Sequence, residues 1–277
     1  MGKFLIYDGE NSFGAPEIAA AAAMESGLNR FGASLLVHLG SKGEGAEQGF
    51  LSPGKSDMHR EQIVAEEGMD ALFRLAESGR LSGDNVSDYT LPLLKGQLDL
   101  ASGHGFPARQ GLAAKELIYR RIWQKAAGKY SRIFIQGSEW MLHQSGIEPE
   151  DRQIVVLRQN RGVLQRYYHR VLSNQPGDRR HLIVLYPYDE SSVLSVKNVK
   201  RLFGGAMPII GVPHCTDYVN AWNNGEALAF MLRNQRSLRK SQTNFSFMTA
   251  VRNLTARLDE MRMEGGLSKV EMEEVMP

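Results

Sequence analysis

An apolar run, Phe4-Leu5-Ile6-Tyr7, is followed by Asp8-Gly9-Glu10-Asn11-Ser12-Phe13-Gly14-Ala15-Pro16-Glu17 and then by the helical run Ile18 to Met24. Strand, tight loop and helix in this order can hold a phosphate, with backbone N–H groups and a lysine on its oxygens and a Ser/Thr hydroxyl on magnesium. The groups that do this chemistry are missing: Ala15 and Pro16 stand where the lysine and the hydroxyl would be. Proline suits the first helical turn because its absent N–H would be unpaired there, yet the same position supplies a donor to a bound phosphate. Glu10 and Glu17 add negative charge, and a carboxylate about 4 Å from a phosphate costs roughly 1–4 kcal/mol between solvent and near-surface dielectric values. A glutamate near a helix N-terminus instead satisfies the helix dipole internally. By itself the pattern is equally an ordinary strand–turn–helix that never held a nucleotide.

The remaining polar groups offer less. His214, Cys215 and Asp217 lie close in sequence, as a cation-activated thiolate would require. Adjacent residues of an extended segment point in opposite directions, so a His–Cys hydrogen bond is awkward and Cys215 reads as a small buried hydrophobe. The seven histidines show no His-Glu-x-x-His arrangement or similar ligand spacing, and no metal is expected. Gly137-Ser138-Glu139 lacks the second glycine of a nucleophile elbow. Gly103-His104-Gly105 reads as a flexible turn whose place before a helix permits a small-anion role. Arg233, Arg236, Arg239 and Lys240 form a basic run that suits phosphates of nucleic acid or anionic lipid, although a solvated helix end is the favoured reading. Phe247 or Met248, Val251, Leu254, Leu258 and Met261 make a stripe on the final helix. It resembles a membrane-targeting face, but core packing is the stronger reading.

At 277 residues the chain can bury a substantial core, and no proline-rich linker divides it. One domain over residues 1–263 and an acidic tail over 264–277, bounded by Gly265-Gly266 and either flexible or a short partner-binding helix, are expected. A net charge of +2 with mixed signs announces neither a nucleic-acid nor a membrane partner. The single cysteine excludes an internal disulfide framework. Neither a signal-peptide pattern nor a membrane-spanning stretch is present, and the chain reads as cytoplasmic.

These groups need a frame. Short Val-, Ile- and Leu-rich runs alternate with amphipathic stretches, which predicts a doubly wound, mostly parallel α/β sheet in a three-layer α/β/α arrangement. Strands are expected at Lys3 to Tyr7, Ser34 to Leu39, Arg132 to Gln136, Gln153 to Leu157, His181 to Leu185 and Ile209 to Val212. Helices are expected at Ile18 to Arg30, Arg60 to Glu77, Gly111 to Gly128, Gly162 to Leu172, Ser195 to Phe203, Asn223 to Asn234 and Ser246 to Met263, with strand, helix, strand order throughout. The Gly- and Ser-rich stretch Ser41 to Asp57 reads as a mobile loop at the carboxyl end of the second strand, the end where such sheets bind ligands.

With these segments placed, residues 1–258 resemble the MinD/ParA group of deviant Walker ATPases, a P-loop NTPase fold of the SIMIBI class. That group's loop, Lys-Gly-Gly-x-Gly-Lys-Thr-Thr, falls in register with Glu10 to Glu17, and only Gly14 survives. The Val-Asp-x-Asp end of its second strand is similar in place to Val37-His38-Leu39-Gly40, and its Walker B strand, Tyr-Asp-x-Val-Ile-Ile-Asp, to Tyr130-Ser131-Arg132-Ile133-Phe134-Ile135-Gln136. His38, Gly40 and Gln136 thus occupy the acid positions, and Tyr186 replaces the Asn that helps to read the base. Ile209-Ile210-Gly211-Val212-Pro213 and Asn220-Ala221-Trp222-Asn223-Asn224-Gly225-Glu226 resemble the group's C-terminal strand end and helix-capping segment most specifically.

The resemblance implies a P-loop fold. Its losses imply a degenerate pseudo-ATPase with no bound cofactor, acting as an interaction or localisation platform in the manner of TadZ-like proteins that place pilus or secretion machinery. Glu10, Asn11, Ser12 and Phe13 would then contact protein partners or a second copy in a homodimer. Peripheral membrane association is compatible with this reading, and nucleic acid is a minor alternative through the Arg233 to Lys240 run. The residues also leave open an ATPase with a non-standard loop that uses a displaced cation such as Lys42, and an unrelated enzyme with its substrate above Gly9, Gly40 and Gln136.

Overall fold

A computed structural model describes residues 2–29, 32–51, 67–105, 111–146, 148, 151–172, 180–205, 207–235 and 242–273. Its first elements are β1 (Gly2–Asp8), α1 (Ala15–Leu28), β2 (Ser34–His38), α2 (Gly68–Glu77), β3 (Leu91–Leu94) and β4 (Leu98–Ala101). The middle holds α3 (Leu112–Ala126), β5 (Arg132–Gln136), α4 (Glu139–His143), β6 (Arg152–Leu157) and α5 (Arg161–Tyr167), which runs into a π-helical turn at Tyr168–Leu172. β7 (His181–Tyr188), α6 (Val196–Leu202), β8 (Ile209–Pro213), α7 (Thr216–Asn223), α8 (Ala227–Asn234) and α9 (Gln242–Glu273) complete the chain. Eight strands form one sheet in the order β3-β4-β2-β5-β1-β6-β7-β8, parallel except for the β3–β4 hairpin.

Each strand of the sheet interior buries both faces because successive side chains point to opposite sides. Phe4, Ile6, Phe134 and Val156 face the layer that contains α1, α7, α8 and α9, while Leu5, Tyr7, Ile133 and Val155 face α2, α3, α5 and α6. α1 lies flat on the first face, with Ala19 to Ala23 fully buried. A helix apolar all round is a buried helix, and alanine lets it approach the sheet closely. The final-helix stripe is core: Phe247, Met248, Val251, Leu254, Leu258 and Met261 are all buried.

The six expected strands all form, with ends shifted by at most a few residues. The expected alternation fails at β3 and β4, an added hairpin whose outer strand carries Pro92 and is partly exposed. Proline is tolerated at such an edge, and a short Leu-Pro-Leu-Leu run gives no period-2 signal. The helix expected over Asn223 to Asn234 starts only at Ala227, as α8, and the residues before it form α7, a helix absent from the expected set; between the two lies Gly225, with a left-handed φ of 69°. Its N–H and that of Glu226 return to the Trp222 and Ala221 carbonyls and end α7. α2 begins at Gly68 with Glu67 as its extended N-cap, residues 60–66 of the expected helix lying outside the described part, and α9 runs past Met263 to Glu273.

At the amino edge of the sheet the buried Lys3 ammonium bridges Glu148 at 2.9 Å and the equally buried Asp151 at 3.0 Å. Arg132 likewise ties β5 to Asp259 of α9 at 2.7 Å. Lys3→Met leaves the Asp151 carboxylate buried without its cation and should lower unfolding free energy by about 3 kcal/mol, read from the urea midpoint at unchanged slope.

Candidate functional site

The α1 N-terminus, where a phosphate would sit, is answered by the chain itself. Asp8, the last residue of β1, accepts from the Ala15 N–H at 3.0 Å. Pro16 has no N–H, and the Glu17 carboxylate accepts from its own backbone N–H. Two acidic side chains therefore face the helix N-terminus, whose dipole favours negative charge, and Asp8 carries that charge fully only above about pH 7. Burial, partly opposed by hydrogen bonds from the Ala15 and Gly14 backbone, pushes the Asp8 carboxyl up to about 7; burial also raises Glu17.

Above this turn lies an aromatic ring. A Cβ on Gly14, whose φ is +132°, would stand 2.3 Å from Tyr186 Cδ1, so the one glycine shared with a phosphate loop here accommodates a tyrosine. Tyr218 adds a second clamp, its hydroxyl donating to the Glu17 carbonyl at 2.8 Å. On the opposite side, Glu10 and Asn11 adopt left-handed φ of 54° and 56°, a conformation costing roughly 1–2 kcal/mol for a non-glycine residue. Glu10 is held there by Arg166 at 3.3 Å and Arg170 at 2.7 Å, and Arg170 also grips Glu139 at 2.8 Å. Ser12 is buried and its Oγ accepts from the Arg158 N–H at 2.9 Å, whereas Phe13 projects with 73% of its surface exposed.

The ends of β2 and β5, where the resemblance places the group's acids, carry a clamp. His38 and Gln136 are register partners at the ends of β2 and β5. His38 Nδ1 lies 2.9 Å from the Glu47 carboxylate, which also accepts from the Gly43 and Gly103 N–H groups. Burial works to raise the Glu47 carboxyl, but the His38 hydrogen bond and charge, with backbone donors, outweigh it and hold the group below its ordinary value. Gln136 Oε1 accepts from the Ala46 N–H at 3.2 Å. Added Cβ atoms at Gly40 and Gly45 would stand 2.5 and 2.3 Å from the His38 ring, so these glycines enclose it.

The stretch expected to be mobile is therefore fixed over residues 41–51: a 3₁₀ turn at Ala46–Phe50 buries Ala46, Glu47 and Gly49, and the Lys42 N–H donates to the His104 carbonyl. Residues 52–57 lie outside the described part. The Gly103-His104-Gly105 turn is also pinned rather than flexible. His104 bridges Asp70 at 2.8 Å and the Tyr119 hydroxyl at 3.0 Å, and Asp70 already takes the Gly105 N–H that an anion would use. Two buried or half-buried acids, Glu47 and Asp70, decide these conformations, and composition alone does not reveal their partners.

The remaining candidates separate. Cys215 is fully buried with its Sγ 3.3 Å from Asn244 Oδ1 and its thiol raised by burial, while His214 is exposed. Ser138 caps α4 through the Met141 N–H. Arg233 sits at the end of α8, beside a cavity of about 330 Å³ also lined by Asp217, Asn220 and Asn244. Arg236, Arg239 and Lys240 lie outside the described residues. Among the described residues no helix is long and apolar enough to cross a membrane.

This architecture and strand order define a P-loop-type α/β protein, and solved structures make the class specific. The chain superposes on a ParA family ATPase from Chlorobium tepidum with a TM-score of 0.64 at 16% identity, covering 90% of this chain and 98% of that one. It superposes on the MinD cell division protein of Aquifex aeolicus, solved as a MinC:MinD complex, with a TM-score of 0.63 at 15% identity, over 92% and 96% of the two chains. A third match is a putative plasmid partition protein of Borrelia burgdorferi bound to AMPPNP, with a TM-score of 0.57 at 10% identity over 97% and 99%. No protein-family model and no curated protein matches the chain. The chain has the MinD/ParA fold.

Two outcomes test the internal occupancy. Because burial raises the folded-state value of Asp8 above its unfolded value of about 4, the folded chain holds the extra proton between about pH 4 and 7. That contribution to stability is complete below about pH 4 and is lost as pH rises through about 7. Asp8→Asn keeps an acceptor for Ala15 and should flatten the stability profile over this interval in urea titrations. Glu47→Ala should leave the sheet folded but remove amide protection across residues 43–50 by at least tenfold in hydrogen exchange, since the buried carboxylate anchors that turn to His38 and Gly103.

Proposed function

We propose that the chain is a degenerate, non-catalytic MinD/ParA-like protein that works in the cytoplasm as an interaction and localisation platform, serving assembly of an envelope machine such as a pilus or secretion system. The observation that carries this is the α1 N-terminus, where Asp8, Pro16 and Glu17 occupy or remove the first-turn N–H groups that a phosphate would use. Two further features support it. The metal-holding positions have become the His38–Glu47 and Gln136–Ala46 contacts, and Tyr186 fills the space over Gly14. Seating a triphosphate would mean displacing Asp8, moving Tyr186 and placing phosphate charge beside Glu10 and Glu17, with no lysine in the loop to offset it.

With nucleotide binding gone, the outward part of the loop can meet a partner, Phe13 foremost. A protein of this fold is solved in a MinC:MinD complex, which is the kind of work a contact platform does. Isothermal calorimetry with ATP and magnesium tests the reading: no binding heat and no phosphate release are expected. Micromolar affinity for ATP would replace it with an ATPase that uses a non-standard loop.

A further inference from the structure

We infer that the carboxyl-edge rim carrying Phe13 and Trp140 is a docking surface for an anionic lipid membrane. The inference rests on the reading that the loop no longer holds nucleotide, and it names what the platform meets. Strands β5, β1 and β6 are neighbours in the sheet, so the loops at their carboxyl ends lie side by side at about 5 Å per strand. Direct contacts make the rim continuous. Glu139, next to Trp140, shares Arg170 with Glu10, and Ser12, next to Phe13, accepts from the Arg158 backbone.

Two side chains project from this rim. Phe13 is 73% and Trp140 64% exposed. Such values belong to side chains standing clear of the surface, since residues lining a groove are covered by its walls. Beside them the exposed guanidinium groups of Arg158 and Arg161 make no hydrogen bond or ion pair with a described residue. The nearby acids Glu10 and Glu139 are already neutralised by Arg166 and Arg170. Neither α5 nor α6 contributes an acidic residue, and α6, which follows the carboxyl end of β7, carries Lys197 in its first turn. Asp189, whose carboxylate accepts from Ser191, and Glu190 are both exposed acids toward the β7 end, so the cationic part of the rim is centred on Arg158 and Arg161, beside Phe13. Projecting aromatics among such cations match a planar anionic interface, where aromatic rings insert at the headgroup level and Lys and Arg are drawn by surface charge. An acidic peptide would meet the charges but leave both rings in water.

Co-sedimentation of the full chain with vesicles of phosphatidylglycerol and phosphatidylcholine should show binding that weakens with salt and is absent for phosphatidylcholine alone. Phe13→Ser and Trp140→Ser should each weaken it about tenfold or more, and Arg158→Ser with Arg161→Ser should lower both affinity and salt dependence. These side chains are exposed, so circular dichroism should report an unchanged fold. Absence of vesicle binding, or binding unaffected by loss of the rings, would overturn the inference. So would a Phe13-dependent dimer in light scattering without vesicle binding, or equal retention on poly-glutamate without aromatic dependence. ATP calorimetry is read separately: silent calorimetry with failed vesicle binding removes only the lipid assignment, whereas ATP binding removes the reading beneath it.

Discussion

The hydrogen bond from the Ala15 N–H to the Asp8 carboxylate is the constraint on which the site turns. A helix N-terminus presents unpaired donors and partial positive charge, and something must answer them. In a working phosphate loop the ligand does so. Here the Asp8 side chain at the end of β1 takes the Ala15 N–H, and Pro16 has no N–H to offer. A phosphate seated on this helix end would have to displace the Asp8–Ala15 contact.

The rest of the carboxyl edge follows the same logic. Positions that hold acids in the resembled group are used to tie loops down: His38 takes Glu47 and Gln136 takes Ala46, while His104 takes Asp70 nearby. Glu47 is almost wholly buried and paired, an arrangement that is costly to break one partner at a time. A region that moves with nucleotide state in a switching protein would need two arrangements of similar energy. This one is fixed by buried charge and by glycines that leave no room beside the His38 ring. The outer rim is different, because there Phe13, Trp140, Arg158 and Arg161 meet solvent.

Much of the frame was legible in the residues. The runs at Phe4, Leu35, Ile133, Val155, Leu182 and Ile209 are continuous apolar strands because parallel strands are covered on both faces. The stripe from Phe247 to Met261 packs as a core face for the same reason of burial. The hairpin at Leu91–Leu94 and Leu98–Ala101 was not legible, since its edge strand is short, half exposed and interrupted by Pro92. α7 was not legible either, since it is only eight residues long and follows directly on the end of β8.

By itself the sequence determined the residue types at these places: Ala15 and Pro16 follow Gly14, and His38 and Gln136 stand at their strand ends. Those are statements about residue type at a register position, and they need no coordinates. Only the tertiary structure decided which groups those residues meet. Asp8 reaches Ala15, Glu47 reaches His38, Tyr186 covers Gly14 and Arg170 joins Glu10 to Glu139 through contacts between residues far apart in the chain or turned together by a loop. Side-chain pairing across such separations is set by how the strands are ordered and how closely their loops approach, which local periodicity and composition do not encode.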